Sequence, residues 1–104
     1  MNRAPSKSFD DTRRDVLRDP KTAAVYLNEC LADGDTALFT EALKHVADAR
    51  VGGMTALAAQ TELGRETLYR TLSKQGNPRL DTLIKVLHAI GLRMSITCDW
   101  PARP

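Results

Sequence analysis

Residues Leu63–Leu83 read LGRETLYRTLSKQGNPRLDTL, and two leucines within that stretch decide the fold. On a helix from Arg65 to Lys74, Leu68 and Leu72 lie four apart and face a core. Arg65, Glu66, Tyr69, Arg70 and Ser73 then turn outward or to the flank. The residues just before, MTALAAQTE (Met54–Glu62), make another short helix around Leu57 and Ala58, with Thr55 placed to cap it. A break between Glu62 and Gly64 separates the two. Two short helices joined by a tight turn read as a helix-turn-helix.

Outward from that pair the chain reads mostly as helix. Asp19 can cap and Pro20 suits a first helical turn, so a helix starts there with Ala23, Leu27, Cys30 and Leu31 on one face, and Gly34 ends it. Asp35 caps the next helix, whose apolar stripe is Leu38, Ala42, Leu43, Val46 and Ala49 before Gly52 and Gly53 break it. After the pair, a last helix carries Leu80, Leu83, Ile84 and Leu87 and ends at Gly91. The run FDDTRRDVLRDP near the start has few apolar positions and holds at most a short helix. No internal repeat is visible.

The period changes at Leu92. Leu92, Met94, Ile96, Cys98 and Trp100 alternate with Arg93, Ser95, Thr97 and Asp99, the pattern of a half-buried strand. A lone strand leaves its backbone groups unpaired, and no other segment reads as its partner. A second copy of the strand, antiparallel across a two-fold axis, is the simplest supplier. That assigns dimerisation to Leu92, Met94, Ile96 and Cys98; the alternatives are a strand laid along its own domain or a poorly ordered tail. The expected fold is therefore all-α, with extra N-terminal helices and one C-terminal β-strand. Its parts are a flexible or partly helical arm (1–18), a helical domain (19–91), the dimerisation strand (92–100) and a tail (101–104).

The composition fits one domain of this kind: 104 residues, 42% hydrophobic, 27% charged and 5% aromatic, which favours a core of Leu, Ala, Val and Ile. The opening lacks an apolar h-region, and no stretch approaches the ~20 apolar residues that span a bilayer, so a cytoplasmic location is expected. Cys30, Cys98, His45 and His88 lack metal-ligand or redox spacing and read as structural, so no cofactor is expected. An enzyme lacks its parts: there is no Ser/His/Asp set, no glycine-rich phosphate loop after a strand, and no carboxylate cluster in a pocket.

The formal net charge of +2 hides a division along the chain. From 10 to 33, Arg13, Arg14, Arg18 and Lys21 face Asp10, Asp11, Asp15, Asp19, Glu29 and Asp33, a balance of −2. From 65 to 93, Arg65, Arg70, Lys74, Arg79, Lys85 and Arg93 face only Glu66 and Asp81, a balance of +4. A local positive field attracts polyanions whatever the total charge. Arginine's planar fork can bond guanine O6 and N7, glutamate can accept from cytosine N4, and a threonine methyl or tyrosine ring can reach a thymine methyl or a phosphate. Lys74, Gln75, Asn77 and Arg79 fall in the loop beyond, where phosphate contacts set register without reading sequence.

The segment GGMTALAAQTELGRETLYRTLSKQGNPRLDTLIKVLHAIGLRM resembles the Xre-type (lambda-repressor-like) helix-turn-helix family. The preceding YLNECLADGDTALFTEALKHVADAR is similar to the HigA-like antitoxins among the addiction-module antidotes. Together they cover about residues 19 to 96, and YLNECLADGD, RETLYRTLS and GNPRLDTLIKVLHAIGL carry the likeness. The resemblance implies a dimeric antitoxin that binds double-stranded operator DNA, pairs with a RelE-like toxin and represses its own operon. It places Arg65, Glu66, Thr67 and Arg70 at the bases, with Thr55, Tyr69 and the 74–79 loop near phosphates. The family pattern usually has Gly where this chain has Glu62, and a small hydroxyl cap where it has Gly64. Either Glu62 adopts a positive φ, at a cost of about 1 kcal/mol, or the turn is reshaped around Gly64. The alternative functions are a stand-alone Xre-type repressor and a protein-interaction module that has lost DNA binding.

Overall fold

The computed structural model describes residues 8–73 and 77–98 and is all-helical there. Its elements are α1 (Phe9–Leu17), α2 (Pro20–Ala32), α3 (Thr36–Val51), α4 (Met54–Thr61), α5 (Arg65–Thr71) and α6 (Leu80–Ala89). No helix among the described residues is long and apolar enough to cross a membrane.

Local chemistry sets the first three helices. Ser8, Asp19 and Asp35 each accept from the backbone N–H three residues on, at 3.0, 2.9 and 3.1 Å, which satisfies one donor that a helix start leaves open. Pro20 occupies the first turn of α2, where its missing N–H costs nothing. α3 ends where Gly52 turns left-handed at φ 92° and returns its N–H to Ala47. The weakly patterned run near the start does form α1, which packs on α3 and buries Leu17. Arg14 adds an ion pair from its Nε to Asp48 on α3 at 2.7 Å.

α3 is the central element, packed on α1, α2 and α4, while α4 carries α5 and α6. One contiguous core joins Leu27, Leu43, Val46, Leu57, Leu68, Leu72, Val86 and Ile90 across these helices.

Several faces differ from the sequence reading by a small rotation. In α3 the buried positions are Phe39, Thr40, Ala42, Leu43, Val46 and Ala47, whereas Leu38 is exposed and Ala49 half-buried. In α2 Leu31 is exposed beside the buried Ala23, Leu27 and Cys30. In α6 the inward residues are Val86, Leu87 and Ile90, and Leu80 and Ile84 lie outside. Each apolar run is wider than the surface its neighbour can cover, so the partner helix chooses which leucines enter. Thr55 is not the cap of α4: Gly53 holds that position, at φ 109°, and Thr55 lies exposed in the first turn.

No strand forms among the described residues, so 92–98 is not paired within the single chain. Leu92 still donates to the Leu87 carbonyl at 2.8 Å and packs on the core. Beyond it no backbone hydrogen bond among the described residues uses 93–98, so the expected strand is not formed there. Trp100, expected at the end of the strand, lies outside the described residues.

Candidate nucleic-acid interface

α5 is seven residues long, and its orientation follows from two side chains. Leu68 and Leu72 are both fully buried, which fixes the opposite face outward. Arg65, Glu66, Tyr69 and Arg70 are exposed there, and Thr67 is half-buried at the flank. The Arg65 guanidinium sits 5.9 Å from the centre of the Tyr69 ring, so a cation–π contact braces these two side chains against each other.

The turn that aims α5 is held by Thr61. Its buried hydroxyl donates to the Leu57 carbonyl at 2.8 Å and accepts from the Leu63 N–H at 3.3 Å, joining the end of α4 to the connector. Glu62 then adopts φ 59°, ψ 16°, the one positive φ at a described residue other than glycine. Gly64 is extended, at φ −67°, and supplies no side-chain cap to α5. Of the two ways to build the turn, the chain uses the strained glutamate.

Electrostatics separates the two ends of the chain. In α1 and at its C-cap each cation is matched locally, Arg13 with Asp10, Arg14 with Asp11 and the capping Arg18 with Asp15, at 3.0–3.1 Å. On α5 no ion pair joins Arg65, Glu66 or Arg70 to another described residue. Their donors and acceptors are available to an outside partner. Of the other expected contacts, Thr55 and Asn77 are exposed, and Arg79 is exposed but pairs with Asp81 at 3.2 Å. Arg79 holds the Asp81 carboxyl below its usual range, chiefly through that hydrogen bond. Lys74 and Gln75 lie outside the described residues.

The remaining polar groups serve the frame. Tyr26 Oη and His45 Nδ1 are 2.9 Å apart, and His45 Nε2 approaches Glu41 at 3.4 Å. Cys30 is buried, and burial pushes its thiol pKa up. Arg50 was not singled out in the sequence, yet it bonds the carbonyls of Ile90 and Arg18. No local signal marks it, because its partners lie 40 and 32 residues away.

The family model described as "probable addiction module antidote protein" matches residues 6–98, which takes in all six helices and the segment after them. The chain belongs to that family. A relative from Haemophilus influenzae (strain Rd), itself described only as an uncharacterized protein, is 34% identical over 90 residues, covering 86% of this chain and 89% of the relative. No solved structure gives a significant match. The antidote family thus accounts for the expected addiction-module resemblance, and an antidote implies a toxin as partner.

Proposed function

We propose that this antidote is a DNA-binding antitoxin that neutralises a RelE-like toxin and represses its own operon as a homodimer. In this reading α4 and α5 are a lambda-repressor-like helix-turn-helix and α5 is its recognition helix. Arg65, Glu66, Thr67 and Arg70 meet base edges, with Thr55, Tyr69, Lys74, Gln75, Asn77 and Arg79 along the phosphates. The observation that carries it is the pairing of full burial at Leu68 and Leu72 with exposed Arg65, Glu66 and Arg70 on the opposite face, none of which forms an ion pair with a described residue. A helix face that only needed solvation would gain from local ion pairs of the kind α1 makes.

The homodimer is built on the segment 92–98, the 19–91 helices forming the DNA-binding body. Toxin contact falls outside α5, on the acidic N-terminal part, because a basic RNA-cutting toxin is attracted there. Within that part the carboxylates of Asp10 and Asp11 are already matched by arginines, whereas Glu29 and Asp33 on α2 and its end form no ion pair with a described residue. Glu29 and Asp33 are therefore the anions best placed to attract it.

The test is binding of the full chain to DNA from upstream of its own coding sequence and to random DNA, across a salt titration. Preferential binding to its own upstream DNA that persists as salt rises supports the repressor. Equal, salt-labile binding to both, or none, sinks it. Co-expression with the toxin, comparing the wild type with Glu29→Lys/Asp33→Lys, tests neutralisation separately.

A further inference from the structure

We infer that the segment after α6 docks on a second copy of itself with Ile96 on the two-fold axis, placing Met94 of each protomer opposite Cys98 of the other. This rests on the dimer reading above and adds the register that reading left open.

The starting observation is exposure. Ile96 is 100% exposed and Met94 47%, and Cys98 is exposed as well. In an extended chain these three share a face; the body half-covers Met94, which lines a cleft with Leu27 and Leu31 of α2, and leaves Ile96 and Cys98 uncovered. Leu92 anchors the segment to the body through its bond to Leu87, and no backbone hydrogen bond among the described residues uses 93–98. Both the side-chain face and the backbone edge await a partner.

Charge and chemistry select a second copy and fix its register. When a strand pairs antiparallel with its copy about one residue, positions equally far on either side stand opposite and point to the same face. About Ile96 the sequence is a chemical palindrome. Ser95 meets Thr97, Met94 meets Cys98, and in the sequence beyond them Arg93 meets Asp99 and Leu92 meets Trp100. Every opposed pair is apolar with apolar, hydroxyl with hydroxyl, or cation with anion, the combinations that stabilise paired strands. Arg93 is exposed and has no ion pair with a described residue, so its charge is free for this role.

The neighbouring registers match less well. Centred on Ser95, Arg93 faces Thr97; centred on Met94, it faces Ser95. In neither does the cation meet an anion. Only the register about Ile96 supplies two opposite-charge pairs, one at each end of the two-fold.

The experiment uses the full chain with Cys98→Ser and one cysteine introduced at a time, Met94→Cys, Ser95→Cys or Ile96→Cys. Sedimentation gives the mass and helical circular dichroism the fold. Opposed residues have Cα atoms about 4.5–5.5 Å apart, inside the range of about 4.4–6.8 Å that a disulfide accepts. Mild oxidation should therefore trap a covalent dimer fastest at position 96, and Met94→Cys with native Cys98 retained should form the 94–98 crosslink on peptide mapping. Arg93→Asp and Asp99→Arg should each weaken the dimer several-fold, and the double variant should restore it. A dimer trapped best at 94 or 95 overturns this register while leaving strand pairing intact. A wild type that sediments as a monomer, or a dimer that none of the three cysteines traps, overturns strand pairing itself and this inference with it.

Discussion

The Nε of Arg50, near the end of α3, donates to the carbonyl oxygen of Ile90 at 2.5 Å, just past the end of α6. The same guanidinium bonds the Arg18 carbonyl after α1, so one side chain collects carbonyls that two helix ends leave open. A cation there also complements the negative end of each helix. Arg50 thereby ties the helix that follows the candidate recognition pair to the N-terminal helices.

Arg50→Ala is expected to lower stability by about 2 kcal/mol, the scale of a hydrogen bond to a charged group plus the cost of carbonyls left open. Gly91 belongs to the same joint. It sits at φ 85°, and a Cβ there would lie 2.8 Å from Arg50 Nη2. Gly91→Ala should cost about 1–2 kcal/mol from the left-handed backbone, and more while Arg50 is present. Urea unfolding of both singles and the double variant checks this: the double should be less damaged than the sum. Simple additivity would mean that the two residues do not share a joint.

The turn offers a gain of stability. Glu62 holds φ 59°, where a side chain is strained, and Gly64 holds an N-cap position without a side-chain acceptor. Glu62→Gly should stabilise by roughly 0.5–1 kcal/mol, the relief exceeding the added freedom of the unfolded chain. Gly64→Ser should add a few tenths of a kcal/mol as a cap. A β-branched residue at 62 should destabilise. Thermal melts of the three variants give the order, and an unstable Glu62→Gly would show that the glutamate earns its place through a contact rather than tolerating the turn.

These two joints mark what could be read in advance. Asp19, Asp35, Gly34, Gly52 and Gly91 act within a few residues of themselves, so their roles are written locally, and the helices they bound lie where the sequence places them. Leu68 and Leu72 were legible for the same reason: few apolar residues compete on so short a helix. Leu38, Leu80 and Ile84 were not, because their helices offer more apolar positions than the neighbours cover, and tertiary packing decides the rotation. Thr55 lost the cap because the Gly52–Gly53 pair lets the chain turn two residues earlier. In the segment 92–98 alternation alone predicts a strand, and no strand forms there among the described residues, because alternation specifies a face but not the ladder that a strand needs.

Acid should loosen the α2–α3 contact before it affects the caps. Burial, with Arg13 as the second cause, lowers the His45 pKa, against the opposing pull of Glu41 and Asp10. A histidine depressed in the folded state contributes stability that is complete above its ordinary value of 6.5 and is lost as pH falls through the lower folded value. Asp19, held down by the Thr22 N–H and hydroxyl, loses its share only below its ordinary 3.8. Unfolding free energies measured from neutral pH down to about pH 5 should therefore fall for the wild type and stay flatter for His45→Gln. Equal slopes would remove His45 from the cause.

The face of α5 gives the prediction with most consequence for function. Arg70 is exposed and has no ion pair with a described residue, on the side opposite the buried Leu68 and Leu72. If its guanidinium makes a bidentate contact with a guanine, Arg70→Ala should cost about 1–3 kcal/mol on the chain's own operator. Its loss on random DNA should be much smaller, since a base contact adds little where the base is wrong. Lys74→Ala, removing a cation assigned to the phosphates, should weaken both DNAs alike and flatten the salt dependence. Leu68 is no control for either, because truncating a fully buried leucine opens a cavity costing about 2–5 kcal/mol and disturbs the whole helix. Paired salt titrations on the two DNAs separate these cases. Equal losses for Arg70→Ala on operator and random DNA would move Arg70 from the bases to the backbone, leaving Arg65 and Glu66 as the remaining readers on that face.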